Sequence, residues 1–159
     1  MDTIPITHGT GTGPTELAAF DDAILKAGIG NYNLIYLSSI IPPGATPKVQ
    51  KINWNKKEYG DRLYIVCAQQ RTSTRGNIAA AGIGWVMSKE RPARGMFVEH
   101  EGHSEEEVDT QITKTLQRMM KSRDSITWGR IQRKIVSIEC KDEPVCALVA
   151  AVYQSQKWD

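Results

Sequence analysis

The chain of 159 residues has two phenylalanines, three cysteines, and no uninterrupted apolar run of the 18 or so residues that a membrane span requires. Residues 1–5, Met-Asp-Thr-Ile-Pro, show neither the basic start nor the apolar stretch of an export signal, so a cytoplasmic protein that does not contact membrane is expected. Cys67, Cys140 and Cys146 are odd in number and too sparse for a secreted disulfide scaffold. Buried free thiols are expected, although Cys140 and Cys146 flank a predicted turn closely enough to be neighbours. A dominant charge is missing too: 20 basic and 18 acidic residues leave a net charge of +2. The one basic cluster, Arg130-Ile-Gln-Arg133-Lys134, is not the dense stripe with exposed aromatics that a nucleic-acid surface needs, so no nucleic-acid partner is expected.

What is present is an ordinary globular composition, 40% hydrophobic and 24% charged, in a length that suits one domain over residues 1–159. The glycine-rich lead-in Gly9-Thr-Gly-Thr-Gly13-Pro14 lacks the Gly-Lys-Ser/Thr ending of a phosphate loop and reads as a flexible turn delivering the chain to a helix. Thr12 or Gly13 suits the cap of that helix, Pro14 its first turn and Gly28 its end, with Leu17, Phe20, Ala23, Ile24 and Ala27 on one apolar face. Asp21 and Asp22 lie beside that face, and spacing does not separate their roles.

Residues 33–41 read as one strand stopped by Pro42 and Pro43, followed by a polar loop over 47–60. Further strands are predicted over 62–69, 78–87 and 94–99. The small residues Ala79-Ala-Ala-Gly-Ile-Gly84 point to close approach of a helix or backbone, or to a bulge. Ser104-Glu-Glu-Glu107 is a capping box that opens a helix running to about Lys121, with Val108, Ile112, Leu116 and Met119 or Met120 inward. Two last strands, 131–140 and 145–153, are predicted to form a hairpin through Lys141-Asp-Glu-Pro144. Helices and antiparallel strands segregate along the chain, which makes the fold class α+β. His100 and His103 sit at a strand end and loop without a third ligand in register; they read as surface histidines, and no metal is expected.

The stretch Phe20-Asp-Asp-Ala-Ile24, then Ala27-Gly-Ile-Gly-Asn-Tyr-Asn-Leu34, then Ser38-Ser-Ile-Ile-Pro-Pro43, with Glu99-His-Glu-Gly102 further on, resembles the pyruvoyl-dependent arginine decarboxylases. The resemblance implies a layered sandwich of mainly antiparallel β-sheets flanked by helices, assembled as a homotrimer or a dimer of trimers with active sites between subunits. It implies self-cleavage into a β chain, 1–38, and an α chain, 39–159. Ser39 would become a covalent pyruvoyl group that replaces PLP and decarboxylates L-arginine to agmatine and carbon dioxide through a Schiff base. Serine is needed at 39 because its oxygen must attack the Ser38 carbonyl and then leave, whereas Ser38 supplies mainly that carbonyl.

The same resemblance gives Asn33 a part in processing, Glu99 the role of proton donor, with Glu101 as its competitor two residues on, and Asp21 the substrate guanidinium, with Ile24 along the aliphatic stem. On a regular strand Asn33 and Ser39 would point to one face. A guanidinium donates two parallel hydrogen bonds to a carboxylate, which is the basis for arginine as substrate. Two alternatives stay open at this point: a pyruvoyl decarboxylase of another amino acid, and an unprocessed, non-catalytic binding or regulatory homologue.

Overall fold

Among the residues that the computed structural model describes, 2–159, strands and helices follow in the order β1 (Thr3–Thr12), α1 (Glu16–Lys26), β2 (Asn33–Tyr36), β3 (Ile40–Ile41), β4 (Thr46–Val49), β5 (Arg62–Thr72), β6 (Ile78–Met87), β7 (Gly95–Gly102), α2 (Glu105–Lys121), β8 (Gln132–Glu139) and β9 (Val145–Gln156). They build a five-stranded sheet, β2-β5-β9-β1-β4, facing a four-stranded sheet, β3-β7-β6-β8. Pairing is antiparallel except for the parallel pairs β1–β4 and β2–β5. Ile4, Ile6, Val66, Ile83, Phe97 and Val149 belong to the core between the sheets. On the outer faces, α1 packs Ala19, Ala23, Ile24 and Ala27 against the larger sheet, and α2 packs Val108, Ile112 and Leu116 against the smaller. The α+β sandwich flanked by helices is therefore observed, in four layers. No helix among the described residues is long and apolar enough to cross a membrane.

The four layers explain β9, whose residues 145–152 are all buried. Val145, Ala147, Val149 and Ala151 face the other sheet while Cys146, Leu148, Ala150 and Val152 face α1. A strand covered on both sides loses polar alternation and becomes a continuous apolar run. The same logic corrects the reading of the glycine-rich lead-in, whose residues 9–12 are not a turn but the last part of β1, inside the larger sheet. A Cβ on Gly11 would sit 2.3 Å from the carbonyl oxygen of Ala19 in α1, and one on Gly9 2.3 Å from that of Ala23. The glycines let the helix backbone rest on the strand. The close approach predicted at 79–84 is the counterpart for α2, since a Cβ on Gly84 would meet Ile112 at 2.2 Å.

Other expectations change. The cap of α1 is Thr15, which accepts from Ala18 N–H at 3.0 Å, and Leu17 is exposed rather than inward. Gly28, with φ 83°, does follow the end of α1. The loop over 47–60 contains the edge strand β4 and a single 3-10 turn at Lys56–Glu58. Strands β8 and β9 are not a hairpin: β8 pairs with β6, β9 with β1 and β5, and the link between them crosses from one sheet to the other. Cys140 and Cys146 consequently lie in different core layers, and all three cysteines are free and buried. Ser104 caps α2 through Glu107 N–H at 3.0 Å, but Glu107 reaches back to the His103 N–H rather than to that of Ser104.

Candidate active site

The predicted single strand over 33–41 is two strands in different sheets. β2 is parallel to β5 in the larger sheet, and Leu37 N–H still donates to the Ile65 carbonyl at 2.8 Å. Two residues later Phe97 N–H, on β7 of the smaller sheet, donates to the Ser39 carbonyl at 2.8 Å, and β3 follows on β7. The Ser38-Ser39 bond is thus the point at which the chain changes sheets. Ser38 is exposed and Ser39 is buried.

Ser39 has a φ of 74°, the one positive value outside glycine among the described residues. An L-residue in this left-handed region costs roughly 1–2 kcal/mol and persists only where its surroundings hold it. The geometry has a chemical consequence. At a φ of roughly −60° the tetrahedral Cα places Cβ anti to the preceding carbonyl carbon and carries the side-chain oxygen away from it. At the φ of Ser39, Cβ swings to the near side, so Oγ can be directed at the Ser38 carbonyl.

The Ser39 hydroxyl donates into the carboxylate of Glu99, with Oγ 2.9 Å from Oε1 and 2.8 Å from Oε2. On β7 the side chains alternate: Met96 and Val98 face α2 while Phe97 faces the inter-sheet core, which sends Glu99 toward the crossing segment. Although Glu99 keeps exposed surface, burial of its carboxyl group pushes the pKa up, against the Ser39 hydrogen bond, which pulls it down. Glu99, His100, Glu101, Cys67 and Ala68 line an open cleft of about 440 Å³. Glu101 shares the cleft but has no hydrogen bond to Ser39, and that contact distinguishes the two glutamates. Burial foremost holds the Cys67 thiol up at about 12, which makes it a poor nucleophile.

The remaining candidates are not gathered at this spot. Asn33 Nδ2 donates to the Gly60 carbonyl at 2.6 Å. The break after Tyr36 removes the regular strand on which Asn33 and Ser39 would share a face. Asp21 is exposed on α1 without a hydrogen bond or ion pair among the described residues. Asp22, by contrast, is engaged by Thr12 N–H at 2.9 Å and Lys26 Nζ at 2.9 Å. The structure thereby separates the two aspartates that spacing left equivalent. Ile24 is packed in the core beneath α1. His100 is half-buried, with Nε2 2.7 Å from Thr115 Oγ1 on α2, whereas His103 Nδ1 lies 3.1 Å from the Ile78 carbonyl; the two do not form a pair. Among the described residues no group of three or more His, Cys, Asp or Glu is placed to hold a metal.

Sequence reasoning overlooked Tyr153. Its hydroxyl donates to the Ile40 carbonyl at 2.8 Å, across a separation of 113 residues. No local signal marks such a contact.

The crossing segment thus carries a left-handed serine whose hydroxyl is held on a carboxylate. The family model for pyruvoyl-dependent arginine decarboxylase matches residues 3–158, and the chain belongs to that family. It is 33% identical over 154 residues to the pyruvoyl-dependent arginine decarboxylase of Thermococcus kodakarensis, covering 92% of this chain and 91% of that one. It is 30% identical over 156 residues to the protein of that name from Halobacterium salinarum, covering 95% and 94%. Among solved structures, a pyruvoyl-dependent histidine decarboxylase aligns at 14% identity with a TM-score of 0.44, over 64% of this chain and 57% of the other.

Proposed function

We propose that the chain cuts itself between Ser38 and Ser39 and uses the pyruvoyl group formed at residue 39 to convert L-arginine into agmatine and carbon dioxide. The observation that carries this reading is the Ser39 geometry: positive φ, buried position and a hydroxyl held on Glu99. Family membership supplies the direction of the chemistry.

Ser39 Oγ loses its proton and bonds to the Ser38 carbonyl carbon. The C–N bond then breaks, the nitrogen of residue 39 takes up a proton, and Ser38 is left as an ester on Oγ. Loss of the Cα hydrogen of residue 39 and departure of the Ser38 carboxylate leave dehydroalanine. Its imine tautomer reacts with water, giving a ketone and ammonia. Decarboxylation needs an electron sink that no ordinary side chain offers, and a ketone next to an amide supplies one without PLP or a metal. The surroundings suit such a group, because Phe97 N–H already holds the carbonyl of residue 39.

Glu99 holds the proton that returns to the substrate Cα, a role served by a desolvated carboxyl with a raised pKa. Asp21, unengaged and exposed, takes the guanidinium through two parallel hydrogen bonds. Asn33 assists the cut. Ser38, Glu99 and Asp21 are open in the single protomer, and the apolar Tyr36 and Ile40 are each 53% exposed beside the cut. This supports a site completed by a neighbouring copy in a homotrimer or dimer of trimers.

Intact mass tests the reading directly, together with amine products assayed from arginine, histidine, lysine and ornithine. The expected result is two pieces, 1–38 and 39–159, the larger without its terminal nitrogen, and agmatine as the product. One full-length mass and no agmatine would overturn it.

A further inference from the structure

Cutting at residue 39 removes the covalent tether on one side of the reactive end. The structure shows what remains to hold it. β3 has two residues, paired as Ile40 with Met96 and Ile41 with Gly95. Phe97 N–H accounts for the carbonyl of residue 39, and Tyr153 accounts for the carbonyl of Ile40. A two-residue ladder at a sheet edge, with Ile40 half exposed, is the sort of element that frays first.

Tyr153 is well placed to prevent that fraying. It stands on β9 of the larger sheet and reaches across the sandwich to a strand of the smaller one, so its grip is independent of the β3–β7 ladder. Its ring is edge-on to Phe97, with centroids 6.2 Å apart, and Phe97 is itself edge-on to Trp85 at 6.5 Å. The partly buried ring is therefore packed against the core while its hydroxyl points at the crossing segment. Burial, with the Glu99 charge as a smaller cause, raises the pKa of the phenol, which keeps it a donor.

We propose that Tyr153 is a positioning residue: its hydroxyl holds the chain end created at residue 39 so that the reactive carbonyl stays beside Glu99. The inference rests on the proposed self-cutting. In the uncut chain both flanks of Ser39 are covalently held, so Tyr153 matters for turnover and not for the cut.

Tyr153→Phe keeps the ring against Phe97 and deletes only the hydroxyl. The variant is expected to cut as fully as the wild type, with kcat lower by about tenfold and KM within about twofold, as for loss of alignment rather than of binding. Hydrogen exchange of the mature protein should be faster at the amide of Ile41, the β3 residue whose N–H pairs with β7, and unchanged in β6 and β9. Unchanged kcat with unchanged exchange at Ile41 would overturn the proposal. So would a rise in KM alone, or a loss of exchange protection throughout both sheets, which would make Tyr153 merely structural. The wild type run alongside separates the two readings: if it neither cuts nor makes agmatine, the proposed function fails, whereas an active wild type with an equally active Tyr153→Phe removes Tyr153 only.

Discussion

The Ser39 hydroxyl lies within 2.9 Å of both carboxylate oxygens of Glu99, a residue 60 positions further along the chain. One proton is shared toward two acceptors, and this contact opposes the effect of burial on Glu99. On the proposed reaction the Ser39 oxygen leaves with Ser38. Cutting therefore deletes the group that favours ionised Glu99 and leaves the carboxyl better able to hold a proton when substrate arrives.

Ser39→Ala removes the attacking oxygen while leaving a residue with a similar cost at positive φ. The variant should migrate as one chain on a denaturing gel and make no agmatine. Ser38→Ala keeps the carbonyl and should still cut. Decarboxylation by Ser39→Ala would sink the mechanism.

Glu99→Gln should cut yet turn over more slowly by about 10²–10⁴-fold, the range for a lost general acid. In the wild type, activity should decline as pH rises through the elevated Glu99 pKa, and the glutamine variant should lack that limb. Stability carries the same sign. Below the carboxyl pKa of the unfolded chain Glu99 is neutral in both states and nothing distinguishes the proteins. Above it the unfolded chain ionises first, so wild-type stability is lost until pH passes the folded value. The melting temperature of Glu99→Gln relative to wild type should accordingly climb with pH over that window. A flat difference would place the carboxyl in water.

The neighbouring aspartates should separate in opposite directions. Asp21→Asn should raise KM for arginine by about tenfold or more without altering the unfolding midpoint, since it loses a charge-assisted pair with substrate. Asp22→Asn should leave KM alone and cost up to about 1 kcal/mol, an exposed contact being screened by solvent. The Thr12 N–H, and then Lys26, hold the Asp22 pKa below the usual carboxylate range. Its contribution is present above the unfolded pKa and disappears as pH falls through the lowered folded value. Urea unfolding between pH 3 and pH 7 together with steady-state kinetics decides the assignment; a KM effect at Asp22 would reverse it.

Gly11→Ala should destabilise by about 2 kcal/mol or more, because the new methyl must displace the α1 backbone at Ala19 and Ala23. Gly76→Ala, at φ 88° with nothing within 4 Å of the new atom, should cost about 1 kcal/mol from backbone strain alone. Denaturant midpoints of equal size would contradict the account of β1 as a strand that carries the helix directly.

Local chemistry was legible without a structure. The Ser104 cap, the inward Val108, Ile112 and Leu116 of α2, and the strand character of 78–87 depend on neighbours in sequence, and each is observed. So are both helices and the α+β class. Elements whose character depends on what covers them were misread. Gly9 and Gly11 look like turn residues until α1 rests on them, Leu17 looks inward until the helix axis is known, and residues 131–153 look like a hairpin until the sheets claim one strand each.

For the candidate site the division is the same. Residue identity and spacing survive without coordinates, so the Ser-Ser pair before two prolines and the Glu99-His-Glu101 segment far downstream are visible in the chain alone. It takes the packed fold to show that the chain changes sheets at that pair, that Glu99 rather than Glu101 receives the Ser39 hydroxyl, that among the described residues Asp22 is engaged and Asp21 is not, and that Tyr153 grips Ile40. Positive φ, desolvation and contacts across 60 or 113 residues arise when two sheets close on one another, and one-dimensional spacing does not encode that closure.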